Sequence, residues 1–182
     1  MKASQRKPAL SMLIGVALIV SSLLTVSMAP ADANADTASL TVAATDDTWM
    51  WGTTKMPGDA VRMNVASNGK TAYLKVAVEG AGDIASATLK VTADNNGTAT
   101  IAVYSGSHTD WTEADINWTN RPAPVDVLDT LSDVSFQTGS VYDFDVSALV
   151  TGDGTYTMLL KSEGGDEITF LTKEGGAAPE LV

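Results

Sequence analysis

From residue 39 onward, short apolar-rich runs alternate with clusters of Gly, Asn, Asp and Pro. The runs are rich in Val, Thr, Ile and Tyr, which fit a pleated, half-buried surface. The clusters recur roughly every 8–12 residues, the spacing of a sandwich or barrel. This pattern predicts strands over 39–44, 48–51, 59–66, 71–78, 85–93, 98–105, 134–136, 141–146, 155–161, 167–172 and 180–182. The run 85–93 alternates cleanly, with Ala85, Ala87, Leu89 and Val91 on one side and Ser86, Thr88, Lys90 and Thr92 on the other. Asn68-Gly69 between two alternating runs predicts a hairpin. No segment sustains a helical period beyond about one or two turns. The expected fold class is all-β: an antiparallel β-sandwich, jelly-roll-like, in a single domain over residues 36–182.

The first 35 residues follow a different pattern. Lys2, Arg6 and Lys7 precede an apolar stretch over 9–28, and Ala31, Ala33 and Ala35 offer two overlapping small-x-small sites. Residues 1–35 therefore read as a secretory signal peptide, with cleavage after Ala33 or Ala35. An uncleaved anchor is the rival reading, weakened by Ser11, Ser21, Ser22, Thr25 and Ser27. The expected location is extracellular or at the cell surface.

Charge and composition narrow the function. The 182 residues carry 11 Lys+Arg against 22 Asp+Glu, for a net charge of -11. Without residues 1–35 there remain 8 basic and 21 acidic residues, a net of -13. Such an acid excess excludes nucleic acid and anionic membrane as expected partners, because both need a basic patch. The absence of Cys rules out a disulfide scaffold, a thiolate metal site and a Cys nucleophile, and a single His rules out a His-cluster metal site.

The middle of the chain reads Asp110-Trp111-Thr112-Glu113, then Ile116-Asn117-Trp118-Thr119-Asn120-Arg121-Pro122. Trp111 and Trp118 read as packing anchors for a long connection laid across the sandwich rather than as binding residues. Arg121 offers a fork for carbonyls or a carboxylate. Together with Thr45-Asp46-Asp47-Thr48, Ala72-Tyr73-Leu74-Lys75-Val76 and the closing run from Ile168 through Lys173-Glu174-Gly175 to Leu181, this segment resembles the DNRLRE-domain family, also described as carbohydrate-binding module family CBM96. Some members of that family bind alginate. The resemblance spans nearly all of 39–182 and implies a β-sandwich that binds carbohydrate. Here Val76 and Ala77 stand where the family usually has an aromatic and an acid, and Lys173 where it often has Arg.

Strand parity supplies an outward face. If Val61, Met63 and Val65 face the core, Arg62 and Asn64 face out. If Leu74, Val76 and Val78 face in, Tyr73 and Lys75 face out. Lys173 continues the outward side of 167–172, and Trp49 and Trp51 point outward if Met50 is the core residue. The hairpin is expected to set Arg62 and Asn64 beside Tyr73 and Lys75 on one sheet. That the first and last strands join it is implied by the resemblance alone. The candidate carbohydrate site is Trp49, Trp51, Arg62, Asn64, Tyr73, Lys75 and Lys173. Indoles and phenols stack on pyranose C–H faces, and Arg and Lys meet uronate carboxylates. The competing expectation is a solvated sheet face whose cations pair with neighbouring acids.

Catalysis is not expected. The pairs Asp46/Asp47, Glu113/Asp115 and Asp143/Asp145 are commonplace for an acidic surface. His108 lies in a loop, and no Gly-x-Ser-x-Gly elbow occurs. No cofactor is expected; Asp126/Asp129 or Asp153 are the weak candidates for a structural calcium. The sequence thus points to a secreted, non-catalytic module for an acidic polysaccharide such as alginate. Its alternative is a structural surface, biofilm-matrix or filament-forming protein that self-assembles through exposed sheet edges.

Overall fold

The computed structural model describes residues 38–56 and 60–182. The signal-peptide reading of residues 1–35 and the start of the run 59–66 lie outside the described residues. The described chain is all-β, with twelve strands: β1 (Val42–Ala43), β2 (Asp46–Trp51), β3 (Thr54–Lys55), β4 (Arg62–Val65), β5 (Lys70–Val78), β6 (Thr88–Thr92), β7 (Gly97–Gly106), β8 (Pro124–Phe136), β9 (Val141–Asp145), β10 (Gly154–Gly165), β11 (Ile168–Leu171) and β12 (Glu180–Leu181). One layer is a six-stranded sheet in the order β3-β2-β5-β10-β7-β8. The other combines β1-β12-β6-β9 with the pair β11-β4, joined by a bridge from Ala93 to Phe170. All named pairings are antiparallel.

The main core lies between the layers. Leu74, Val76, Met158, Leu160, Ile101 and Val103 of the large sheet meet Leu89, Val91, Phe144, Met63, Ile168 and Phe170 of the other layer, all essentially without solvent exposure. The within-strand alternation read from the sequence holds for β4, β5, β6 and β11.

A second, smaller core lies on the opposite face of the large sheet. Met50, Tyr73 and Leu159 project there and are covered by Trp111 and Ile116. These last two belong to the connection over residues 107–123, between β7 and β8. That connection crosses the sheet as expected, with Trp111 as its anchor.

Two expectations about layering fail. The chain does turn at Gly69, whose φ of +95 suits glycine, but β4 and β5 share only the bridge Ala66–Lys70. Beyond it β4 crosses to the other layer and pairs with β11. Arg62 and Asn64 therefore do not lie beside Tyr73 and Lys75. The second error concerns β2. Register sets Thr48 opposite Tyr73 and Asp46 opposite Lys75, so Met50 shares the covered outer face. Trp49 instead packs toward the main core. Each face of β2 carries large apolar side chains beside an acid, Met50 with Asp46 on one and Trp49 and Trp51 with Asp47 on the other, so parity alone could not choose between them.

Candidate functional site

The seven residues expected to form one site are divided among three places. The first is the outer face of β4 and β11. Arg62 pairs with Asp94, and Asn64 donates to Glu167 at 2.6 Å. Lys70 pairs with the same Glu167 at 2.5 Å and lies over the rings of Trp49 and Trp51, 5.6 and 5.3 Å from their centroids. Trp51 is 50% exposed, so this patch does present an indole. Both its cations are already neutralised by carboxylates.

The second place is the covered face of the large sheet. Lys75 is largely enclosed, pairs with Asp46 at 2.9 Å, donates to the Trp111 carbonyl and lies 5.1 Å from the Trp111 ring centroid. Burial tends to raise the Asp46 pKa, but Lys75 and the Glu113 N–H outweigh it and leave the pKa below its usual value. Lys75 is thus a fastener for the connection. Tyr73 is 1% exposed, so its ring cannot stack on a sugar, correcting the outward expectation. Its hydroxyl, however, accepts from Arg121 at 3.2 Å. Burial raises the Tyr73 pKa despite that guanidinium.

The third place surrounds Asp47. Its carboxylate accepts the Lys173 backbone N–H at 2.8 Å, while the Lys173 ammonium contacts Glu113 and pairs with Glu174 at 2.7 Å. Burial of Lys173 works against its charge, but the two glutamates outweigh it and raise its pKa. Lys173 is committed to these acids rather than to an open face. Burial pushes the Asp47 pKa up to about 6, against the opposing pull of the Lys173 N–H and charge. A carboxyl whose pKa is raised on folding stabilises the fold below its unfolded pKa, and that contribution is lost as pH rises through its folded value. From 3.8 to about 6 the total is about 3 kcal/mol, of which about 2 kcal/mol falls between pH 4.5 and 7.5. In EDTA, urea unfolding at those two pH values should show wild type losing about 2 kcal/mol relative to Asp47→Asn; equal losses would contradict the assignment.

A different feature emerges beside the second core, where residues 117–124 fold back along the outer face of the large sheet. The Asn117 N–H donates to the Asn120 side chain at 2.6 Å, and the Arg121 N–H donates to the Asn117 carbonyl at 3.0 Å. This turn displays Trp118, 46% exposed, with the Arg121 guanidinium 3.7 Å from its ring centroid. Between the turn and the strands runs a groove of about 280 Å³. Its floor is Thr71, Tyr73, Leu159 and Lys161, and Trp118 and Arg121 form its wall. The Lys161 ammonium lies 4.9 Å from the Tyr104 ring centroid.

Charge bookkeeping marks this groove. Among the described basic side chains, Arg62, Lys70, Lys75, Lys90 and Lys173 all have carboxylate partners. Arg121 and Lys161 form no salt bridge among the described residues, and both line the groove. From the sequence alone Trp118 reads as a packing anchor, and nothing in the pattern marks Lys161. The Arg121 fork is visible in the sequence, but only folding reveals which cations stay unneutralised.

Two of the weak calcium candidates serve as local hydrogen-bond acceptors. Asp153 accepts the N–H groups of Ala81 and Gly82, and Asp129 those of Thr130 and Asp145.

A comparison with curated proteins found no significant match. A family model does match, over residues 38–182, which takes in the complete sandwich, the connection and the groove. On that match the chain belongs to carbohydrate-binding module family 96.

Proposed function

We propose that this module binds an anionic polysaccharide, a uronate polymer such as alginate, in the groove beside Trp118. The observation that carries the reading is the meeting, in a single concave site, of one exposed indole and two cations without carboxylate partners among the described residues. With the Arg121 guanidinium stacked on one face of Trp118, the opposite face of the indole is the one left to meet a pyranose ring. Arg121, oriented by the Tyr73 hydroxyl, and Lys161 receive successive carboxylates. The acidic remainder of the surface repels the same polymer elsewhere and so favours one register. The family match supports binding rather than catalysis, and the polar side chains lining the groove are Thr71, Tyr73, Trp118, Arg121 and Lys161. The basic, apolar and small-residue pattern of residues 1–35 supports export, and hence an extracellular or cell-surface location.

The patch at Trp51, Arg62 and Asn64 is the weaker site for a polyanion, because Asp94 and Glu167 already occupy its cations. Self-assembly through sheet edges finds its longest edge in β8. That strand carries Asp126, Asp129 and Asp133 and three register irregularities, features that oppose edge pairing.

Affinity electrophoresis tests the function. Gels containing alginate or pectate should retard the protein, and gels containing neutral glucans should not. Retardation should weaken markedly between 50 and 500 mM salt, as expected for solvent-exposed charge pairs. Equal mobility in every gel would sink the reading.

A further inference from the structure

We propose that Asp47, Glu113 and Glu174 form a binding site for a divalent cation of the calcium class. The three residues come from distant parts of the chain: β2, the connection, and the segment after β11. One carboxylate oxygen from each lies within 4.8 Å of the other two. Oxygens that share one calcium at about 2.3–2.6 Å can be separated by no more than about 5 Å, so the spacing already suits a common ion.

A second observation points into the same spot. The Asp47 side chain is fully enclosed, and its Oδ2 accepts the Lys173 N–H. Its Oδ1 has no hydrogen-bond partner among the described residues. A buried carboxylate oxygen without a partner is costly, and protonating it leaves a donor with no acceptor. The nearest positive charge, the Lys173 ammonium, is 3.9 Å away, beyond hydrogen-bonding distance. That ammonium is held by Glu113 and Glu174. One monovalent group therefore faces three carboxylates and fails to reach the most buried of them.

A divalent ion between the three would satisfy Oδ1 and match their charge better. Lys173 is partly exposed and flexible, so it can withdraw toward solvent. The donors are all hard oxygens. Three carboxylates on separate segments suit calcium, with its variable coordination, better than magnesium with its strict octahedron. The bound ion would fasten β2 and the closing segment to the connection that carries the groove wall. This site lies apart from the groove, and the inference stands whether or not the groove binds uronate.

The test uses the full chain stripped with EDTA. Extracellular calcium modules commonly bind near 0.1–1 mM. At about 10 mM calcium the melting temperature should rise by roughly 5–10 °C. Terbium should give luminescence sensitised by tryptophan, and calcium should quench it by displacement. Glu174→Gln and Glu113→Gln should lose most of the shift, their folding being checked by melting in EDTA. Lys173→Met removes the competing ammonium and should reach its half-effect at lower calcium. The proposal is overturned if neither calcium nor terbium has an effect at 10 mM. It is equally overturned if the shift survives in both glutamine variants.

Discussion

Replacing Arg121 and Lys161 together by alanine is expected to abolish retention on alginate while leaving the fold intact. Neither side chain is fully buried, and among the described residues neither forms a salt bridge that the substitution would break. A hydrogen bond to a charged group is worth about 1.5–3 kcal/mol, so each loss should cost about tenfold or more in affinity. Arg121 from the connection and Lys161 from β10 both line the groove, so losing both should weaken binding more than losing either alone. Arg62→Ala with Lys90→Ala removes the same formal charge from residues already paired with Asp94 and Asp143. That control should bind nearly as wild type does. Calorimetric titration with an oligouronate separates the cases. If both double variants weaken equally, net charge rather than the groove governs binding.

The largest effect on stability should come from Trp111→Ala. The indole is 4% exposed and its N–H donates to the Thr157 hydroxyl at 2.9 Å. Its ring meets Tyr73 edge-on, with centroids 6.3 Å apart. Removing it opens a cavity in the second core and leaves the Thr157 hydroxyl without its donor. Such truncations cost about 3–5 kcal/mol, or roughly a 10 °C fall in melting temperature at this size. Because Trp111 pins the connection that carries Trp118 and Arg121, polysaccharide affinity should fall as well. Trp111→Phe keeps most of the volume but loses the hydrogen bond, and should cost about 1–2 kcal/mol. Thermal and urea unfolding measure both. A cost below about 1 kcal/mol for the alanine variant would mean that the connection is not anchored there.

The sequence made the fold class legible because most strands bury one face and so alternate. Strand β6 is the clearest case: Leu89 and Val91 are buried, while Thr88, Lys90 and Thr92 are partly exposed. In β8 only the end at 134–136 was expected, and the register irregularities explain why. They break the two-residue period, and the strand's edge position leaves Val125 and Val127 exposed.

The site was less legible, since parity says which residues share a face but not what covers that face. Tyr73 and Lys75 do leave the main core, only to meet a second one beneath Trp111. The ion pairs that neutralise Lys75, Lys70 and Lys173 involve acids at positions 46, 167 and 113, far away in the chain. Three of the stretches that carry the family resemblance converge at Asp47, Glu113 and the Lys173-Glu174 pair. There those motifs join strand, connection and closing segment, a structural task that composition does not disclose.

The central claim, that the groove at Trp118 receives an anionic sugar chain, can be read from the four indole N–H signals in a nitrogen–proton NMR spectrum. Trp111 is enclosed, Trp49 is packed toward the core, and Trp51 and Trp118 are exposed at different places. On titration with an oligouronate, the Trp118 signal should shift progressively while the Trp51 signal stays in place. Movement of Trp51 with Trp118 unchanged would contradict the account and move the site to the patch beside Lys70.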